Sequence, residues 1–141
     1  MNFSVLISVY YKEKPEYLKD AINSIFNQTL RPNEVILVED GKLTDELYNT
    51  IKKLQEKYNE IKTVCLKENQ GLGPALNEGL KYCSYDIVAR MDSDDICMPD
   101  RFKIQIDFME KHPDIDIISG WIDEFYGYKE NIISTRKTPE T

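Results

Sequence analysis

Four short apolar runs rich in β-branched residues, 3–9, 34–39, 61–66 and 87–91, recur along the chain, and a fifth, 115–119, follows them. The first is nearly continuous rather than strictly alternating, which suits a strand buried on both faces, and the second reads as buried likewise. Amphipathic helical stretches lie between the runs. From Pro15, a favoured first helical residue, Leu18, Ile22, Ile25 and Phe26 share one face while Lys19, Asp20, Asn23 and Asn27 take the other. Thr44 or Asp45 caps a second helix with Leu47, Ile51, Leu54 and Tyr58 inward. A third helix is expected over 74–82, and Pro99 opens a fourth that carries Phe102, Ile106 and Met109 until His112 and Pro113 end it. Alternation of this kind with short connections predicts an α/β fold, a Rossmann-like open, mostly parallel sheet with helices on both faces. A chain of 141 residues fits a single domain over 1–141. Pattern weakens after Trp121, so about 122–141 is expected to be a weakly structured tail or an edge hairpin.

Open parallel sheets bind ligands outside the carboxyl ends of their strands, where strand order reverses. The unusual polar residues of this chain gather at those ends: Ser8 and Tyr10 after the first strand, Glu39 and Asp40 after the second, and Asp92, Ser93, Asp94 and Asp95 after the fourth. Three carboxylates within four residues repel one another and call for a positive partner, most simply a divalent cation. In extended backbone Asp92 and Asp94 point to the same side and Ser93 away. An acidic turn capping the helix at Pro99 is the plain alternative, but it does not account for the other strand ends. On chemistry, Asp40 suits a planar N–H such as the ring imide of uracil or thymine, with Tyr10 packed on that ring. Asp92 suits a ribose hydroxyl or a metal-bound water, and Asp94 a direct bond to Mg2+ or Mn2+ bridged to a diphosphate.

Other functions fit less well. Lys and Arg number 18 against 25 Asp and Glu, with no basic tract, which excludes nucleic acid as a main partner. Three scattered cysteines and one histidine make neither a disulfide framework nor a zinc site, which suits a reducing, cytoplasmic setting. No apolar run is long enough to span a bilayer, leaving peripheral association at the inner face of the membrane, through regions outside this stretch, as the expected membrane contact. The run Gly71-Leu72-Gly73-Pro74-Ala75-Leu76 begins like a dinucleotide fingerprint, but Leu76 occupies its third glycine position. A calcium loop starting at Asp92 fails at Cys97 and Lys103. A receiver-like signalling module also gathers aspartates on this rim, although its acidic pair usually follows the first strand, where Tyr10 and Tyr11 stand here. That module, and a non-catalytic nucleotide-binding fragment, are the alternatives to an enzyme.

Several ordered segments then resemble the nucleotide-binding half of family 2 glycosyltransferases, the GT-A fold. They are Ser4 to Tyr10, Ser24 to Thr29, Val38-Glu39-Asp40-Gly41, Asn69-Gln70-Gly71 with Asn77-Glu78-Gly79, Met91 to Asp95, and Pro99-Asp100-Arg101. The resemblance implies that Ser8 and Tyr10 line the nucleotide base, that Asp40 pairs with it, that Asp92 lies near the ribose, and that Asp94 binds the metal. It implies transfer, with inversion, of a sugar from a UDP- or dTDP-linked donor to a hydroxyl of a saccharide or lipid-linked glycan. Asn27, Gln28, Thr29, Asn77 and Arg101 are read as caps and turn residues. Leu76 stands where many relatives carry arginine, and Glu39 replaces a common aspartate. The family's general base has no counterpart among Asp123, Glu124 and Glu130, so the base is expected beyond residue 141.

Overall fold

The structure, a computed structural model, describes residues 1–120, 122–125 and 132–137. Its elements run β1 (Ser4–Val9), α1 (Pro15–Phe26), β2 (Glu34–Glu39), α2 (Asp45–Lys57), β3 (Ile61–Cys65), α3 (Leu72–Leu80), β4 (Val88–Asp92), α4 (Arg101–Lys111), β5 (Ile122–Phe125) and β6 (Ile132–Arg136). The chain divides into two compact units, Met1–Phe102 and Lys103–Thr141.

The first unit holds a four-stranded sheet in the order β3-β2-β1-β4, with every pairing parallel. Two crossovers step outward from β1 and the third steps back past it. Right-handed connections therefore set α1 and α2 on one face and α3 on the other. A Cβ on Gly79 would collide with Val38 and come within 2.7 Å of Leu6, so α3 lies directly on Leu6, Ile36 and Val38. Strand alternation turns Val5, Ile7, Val9, Val35 and Leu37 to the opposite face. There they meet the buried stripe Leu18, Ile22 and Ile25 of α1 and Leu47, Ile51 and Leu54 of α2. Both faces of β1 and β2 are covered, which is why those two runs are continuous in sequence, whereas the outer strands β3 and β4 are only partly buried.

At the end of the sheet where the strands begin, Glu34 is a buried carboxylate shared by three segments. It accepts hydrogen bonds from Ser4 Oγ at 2.7 Å, Lys62 Nζ at 2.9 Å, and the amide and hydroxyl of Ser84. Burial alone would push this carboxyl up, but those donors outweigh it and bring it down to about 2.

Several element bounds differ from the sequence expectation. Pro15 does open α1, but α3 starts two residues before Pro74 and α4 two residues after Pro99, which sits in the preceding turn. Thr44, rather than Asp45, caps α2, its hydroxyl accepting from the Leu47 amide at 3.2 Å. The fifth strand expected over 115–119 is not formed: these residues are neither helix nor strand, and Ile117 is 87% exposed. An apolar β-branched run becomes a strand only where a neighbour pairs with it, and none of the described residues does so here. The second unit instead contains the antiparallel hairpin β5–β6, with a register shift at Glu124 and Phe125 and an Arg136–Glu124 ion pair at 2.7 Å. Of the two expectations for 122–141, the described residues there form the hairpin, and Glu130 lies outside the described residues.

Candidate functional site

The parallel register places the polar residues together. Ser8 pairs with Val38 on one side and with Asp92 on the other, so it stands between the carboxyl ends of β2 and β4. The Asp40 amide continues the ladder by donating to the Val9 carbonyl at 2.9 Å. Beyond these ends lies a cleft of about 620 Å³, lined by Ser8, Tyr10, Asp40, Asp92 and Asp94. All five residues singled out in the sequence thus share one cavity. It sits beside the point where strand order reverses between β1 and β4, as the rule for open parallel sheets requires.

Asp40 is 4% exposed, and both its oxygens are already in use. Oδ1 accepts from the Gln70 amide at 2.7 Å and Oδ2 from the Gly71 amide at 3.1 Å. Each carboxylate oxygen retains a second lone pair, so one further donor can still be accepted by a group that is now rigidly aimed. Gly41 makes this possible. Its φ is +87°, and a Cβ there would stand 2.6 Å from the Asn69 nitrogen, so only glycine lets the two loops approach. Tyr10 and Tyr11 follow β1 as an edge-to-face pair with centroids 5.8 Å apart, and Tyr10 is about half-exposed. That leaves an aromatic surface at the mouth of the cleft.

The acidic wall begins where β4 ends. Carboxylate oxygens of Asp92, Asp94 and Asp95 all lie within 4.8 Å of one another. Two oxygens bound at about 2.1 Å to one ion lie at most about 4.2 Å apart, so small rotamer changes close this set on Mg2+ or Mn2+. The all-oxygen donor set also suits those hard cations. Burial pushes the Asp95 carboxyl up, and Asp92 and Asp94 push it the same way against the pull of Arg101 and Arg90. Asp92 is also paired with Arg90 at 3.0 Å, but both groups are about half-exposed and the pair is easily exchanged for another partner. The backbone here is not extended as the sequence suggested: β4 ends at Asp92, and Ser93 and Asp94 form a turn in which the Asp95 amide donates to the Asp92 carbonyl at 3.2 Å, leaving Ser93 7% exposed.

The segment after the acids is held from below. Gln28 donates to the Met98 carbonyl at 2.6 Å and accepts from the Phe102 amide at 3.1 Å, while the Thr29 amide donates to the Pro99 carbonyl at 2.9 Å. Arg101 donates to the Arg90 carbonyl at 3.1 Å and to Cys97 Sγ at 3.2 Å. Most of these bonds end on backbone, although Arg101 also reaches Cys97 and the Thr29 hydroxyl donates to Asp100 Oδ1 at 2.9 Å. Leu76 packs at the margin of the α3-face core, and Glu39 accepts from Cys65 Sγ at 3.3 Å.

Sequence reasoning missed Lys12, Glu13 and Asn69, which also line the cleft. Their signal was position: Lys12 and Glu13 lie in the loop that leaves β1, and Asn69 precedes the Asp40-bound amides.

The model of the family described as Glycosyl transferase family 2 matches residues 4–140. An uncharacterized glycosyltransferase of Haemophilus influenzae is 45% identical over 139 residues, covering 99% of this chain and 52% of that protein. The UDP-Gal:alpha-D-GlcNAc-diphosphoundecaprenol beta-1,3-galactosyltransferase of Escherichia coli is 46% identical over 124 residues, covering 88% of this chain and 45% of the relative. Among solved structures, S. aureus TarS 1-349 in complex with UDP-GlcNAc superimposes with a TM-score of 0.69 at 31% identity, over 80% of this chain and 32% of that one. This chain therefore spans about half the length of the two bacterial relatives. With its open parallel sheet, its rim of strand-end acids and a family match over nearly every residue, the chain belongs to glycosyl transferase family 2 and has the GT-A fold.

Proposed function

We propose that this chain is the donor-binding part of a glycosyltransferase that moves a sugar from a uridine or thymidine diphosphate sugar to an acceptor hydroxyl, with metal assistance and with inversion. The observation that carries the reading is the convergence of Ser8, Tyr10, Asp40, Asp92 and Asp94, from three strand ends, on one cleft. A relative named for UDP-Gal and a similar structure titled with UDP-GlcNAc support a uridine donor. The same relative's name includes a diphosphoundecaprenol-linked sugar, which supports a lipid-linked glycan as acceptor.

In this reading Asp40, already fixed by two amides, accepts the imide N–H of the base, and Tyr10 covers the ring. Asp92 takes a ribose hydroxyl or a metal-bound water, and Asp94 leads the ligand set with Asp92 and Asp95 beside it. A bound Mg2+ or Mn2+ supplies Lewis-acid stabilisation of the departing diphosphate. Ser8 and the strand ends hold the donor in register, so that positioning contributes to the rate. The group that takes the acceptor proton is proposed to lie outside residues 1–141, in sequence of the kind the longer relatives possess.

Calorimetric titration with nucleotides tests the reading. UDP is expected to bind more tightly with Mn2+ than without it, and more tightly than CDP, whose ring N3 presents a lone pair to the Asp40 carboxylate. Asp94→Asn should remove most of the Mn2+-dependent gain while leaving the melting temperature in place. Equal affinity for UDP and CDP would count against Asp40, and a gain unchanged in Asp94→Asn would count against the ion site.

A further inference from the structure

Beyond the last β1–β4 pair, Ser8 with Asp92, the two strands diverge and become opposite walls of the cleft. One wall is the loop Tyr10 to Glu13, carrying the aromatic pair; the other is Asp92 to Asp94, carrying the acids. Among the described residues, one hydrogen bond joins the walls past the ladder: the Ser93 hydroxyl donates to Glu13 Oε2. Glu13 is also fixed on its own side. Its amide donates to the Tyr10 carbonyl at 3.0 Å, and its Oε1 accepts from the Lys14 amide at 3.1 Å. Lys14 is the N-cap of α1 and supplies no side-chain cap, and the Glu13 carboxylate, bound to the Lys14 amide, lies next to the positive helix end, which suits its charge.

The residue types matter. A carboxylate next to an aspartate cluster is repelled by it, and needs a donor on that side to stay. Ser93 is the one non-acidic residue among positions 92–95, and it is buried while Asp94 and Asp95 are exposed. Its hydroxyl therefore serves the opposite wall, not the ion.

We infer that Ser93 and Glu13 form a latch that fixes the distance between the base wall and the acidic wall, making both of them positioning residues for a donor held at its two ends. The inference rests on the donor reading above. A nucleoside diphosphate that touches Tyr10 and Asp40 with its base and the ion with its phosphates must match that distance. A latched cleft is preset for both contacts, whereas an unlatched one must be ordered on binding. The latch therefore acts on the coupling between metal and nucleotide rather than on either alone.

The test is a double-mutant cycle on the 141-residue chain, with Ser93→Ala, Glu13→Ala and both together, reading UDP affinity with and without Mn2+ by calorimetry and the melting temperature beside it. In each single variant the Mn2+-dependent gain in UDP affinity should fall about tenfold, the loss expected when one hydrogen bond to a charged group is removed. UDP affinity without Mn2+ should change little. The double variant should be no worse than either single one, and Ser93→Thr, which keeps the hydroxyl, should restore part of the gain. A purely structural contact predicts instead a lowered melting temperature with the Mn2+-dependent gain intact, and that result would overturn the latch, as would additive losses in the double variant. If the wild-type chain shows no Mn2+-dependent gain, the donor reading itself fails and the latch with it.

Discussion

Glu34 shows how one buried charge, fully supplied with donors, can stabilise a small sheet. A carboxyl that ordinarily titrates at 4.5 and is held at about 2 in the folded chain favours folding by about 3 kcal/mol at neutral pH. Because the folded value lies below the unfolded one, this contribution is complete above pH 4.5. It is lost as pH falls from about 4.5 toward 2. Glu34→Gln keeps the shape but not the charge, so it should lower stability at pH 7 by about 3 kcal/mol and flatten the acid limb between those values. Urea denaturation at a series of pH values reads both effects, and an unchanged acid limb would show that the carboxylate is not the group responsible. Nothing in the sequence around Glu34 announces this role, since its donors Ser4, Lys62 and Ser84 come from distant segments. Asp40 was legible for the opposite reason. An acid directly after an apolar strand is conspicuous on its own, although the two amides that hold it were not foreseen.

The helix α3 is the element whose packing is most exposed to a single change. Gly79 lets its backbone rest on Val38 and Leu6, and any side chain there must push into a filled core. Gly79→Val is expected to cost about 1–3 kcal/mol, as overpacking usually does. Gly73→Ala, in the same helix but with open space around its Cβ, should be neutral or stabilising by up to about 1 kcal/mol. Denaturant midpoints of the two variants make the comparison, and similar effects would show that propensity rather than packing governs the helix. Strands β1 and β2 could be read from composition because both faces are buried, which leaves few other roles for an unbroken apolar run. Helix starts were less legible. Proline tolerates the third helical position and the preceding turn as well as the first, so Pro74 and Pro99 misplaced two ends that Pro15 placed correctly. The run at 115–119 misled because apolar character states what a segment is able to bury, not whether a partner is present to bury it.

For the molecule as a whole, binding and turnover are separable. With the proposed donor contacts in residues 8–95 and the proton acceptor proposed to lie elsewhere, the 141-residue chain is expected to bind a nucleotide sugar and transfer nothing to an acceptor. Incubation with UDP-sugar and acceptor, followed by mass analysis, checks this. Acceptor-dependent product would assign the base to this chain, with cleft-lining Glu13 the first candidate. Among the described residues no helix is long and apolar enough to cross a membrane. The parallel sheet has a further consequence, one of timing. Ser4 pairs with Val88, and every ladder bridges strands separated by an entire helix, so no local hairpin can start the sheet. Folding is correspondingly slow, because long loops must close before any pairing is rewarded. During synthesis one side of β1 stays unpaired until residues near 92 have left the ribosome, and an open strand edge invites association with other chains. Ser8 and Asp92 meet only at that closing step, so the cleft comes into being with the last strand of its sheet, and nucleotide has nothing to bind in a nascent chain that has not yet reached it.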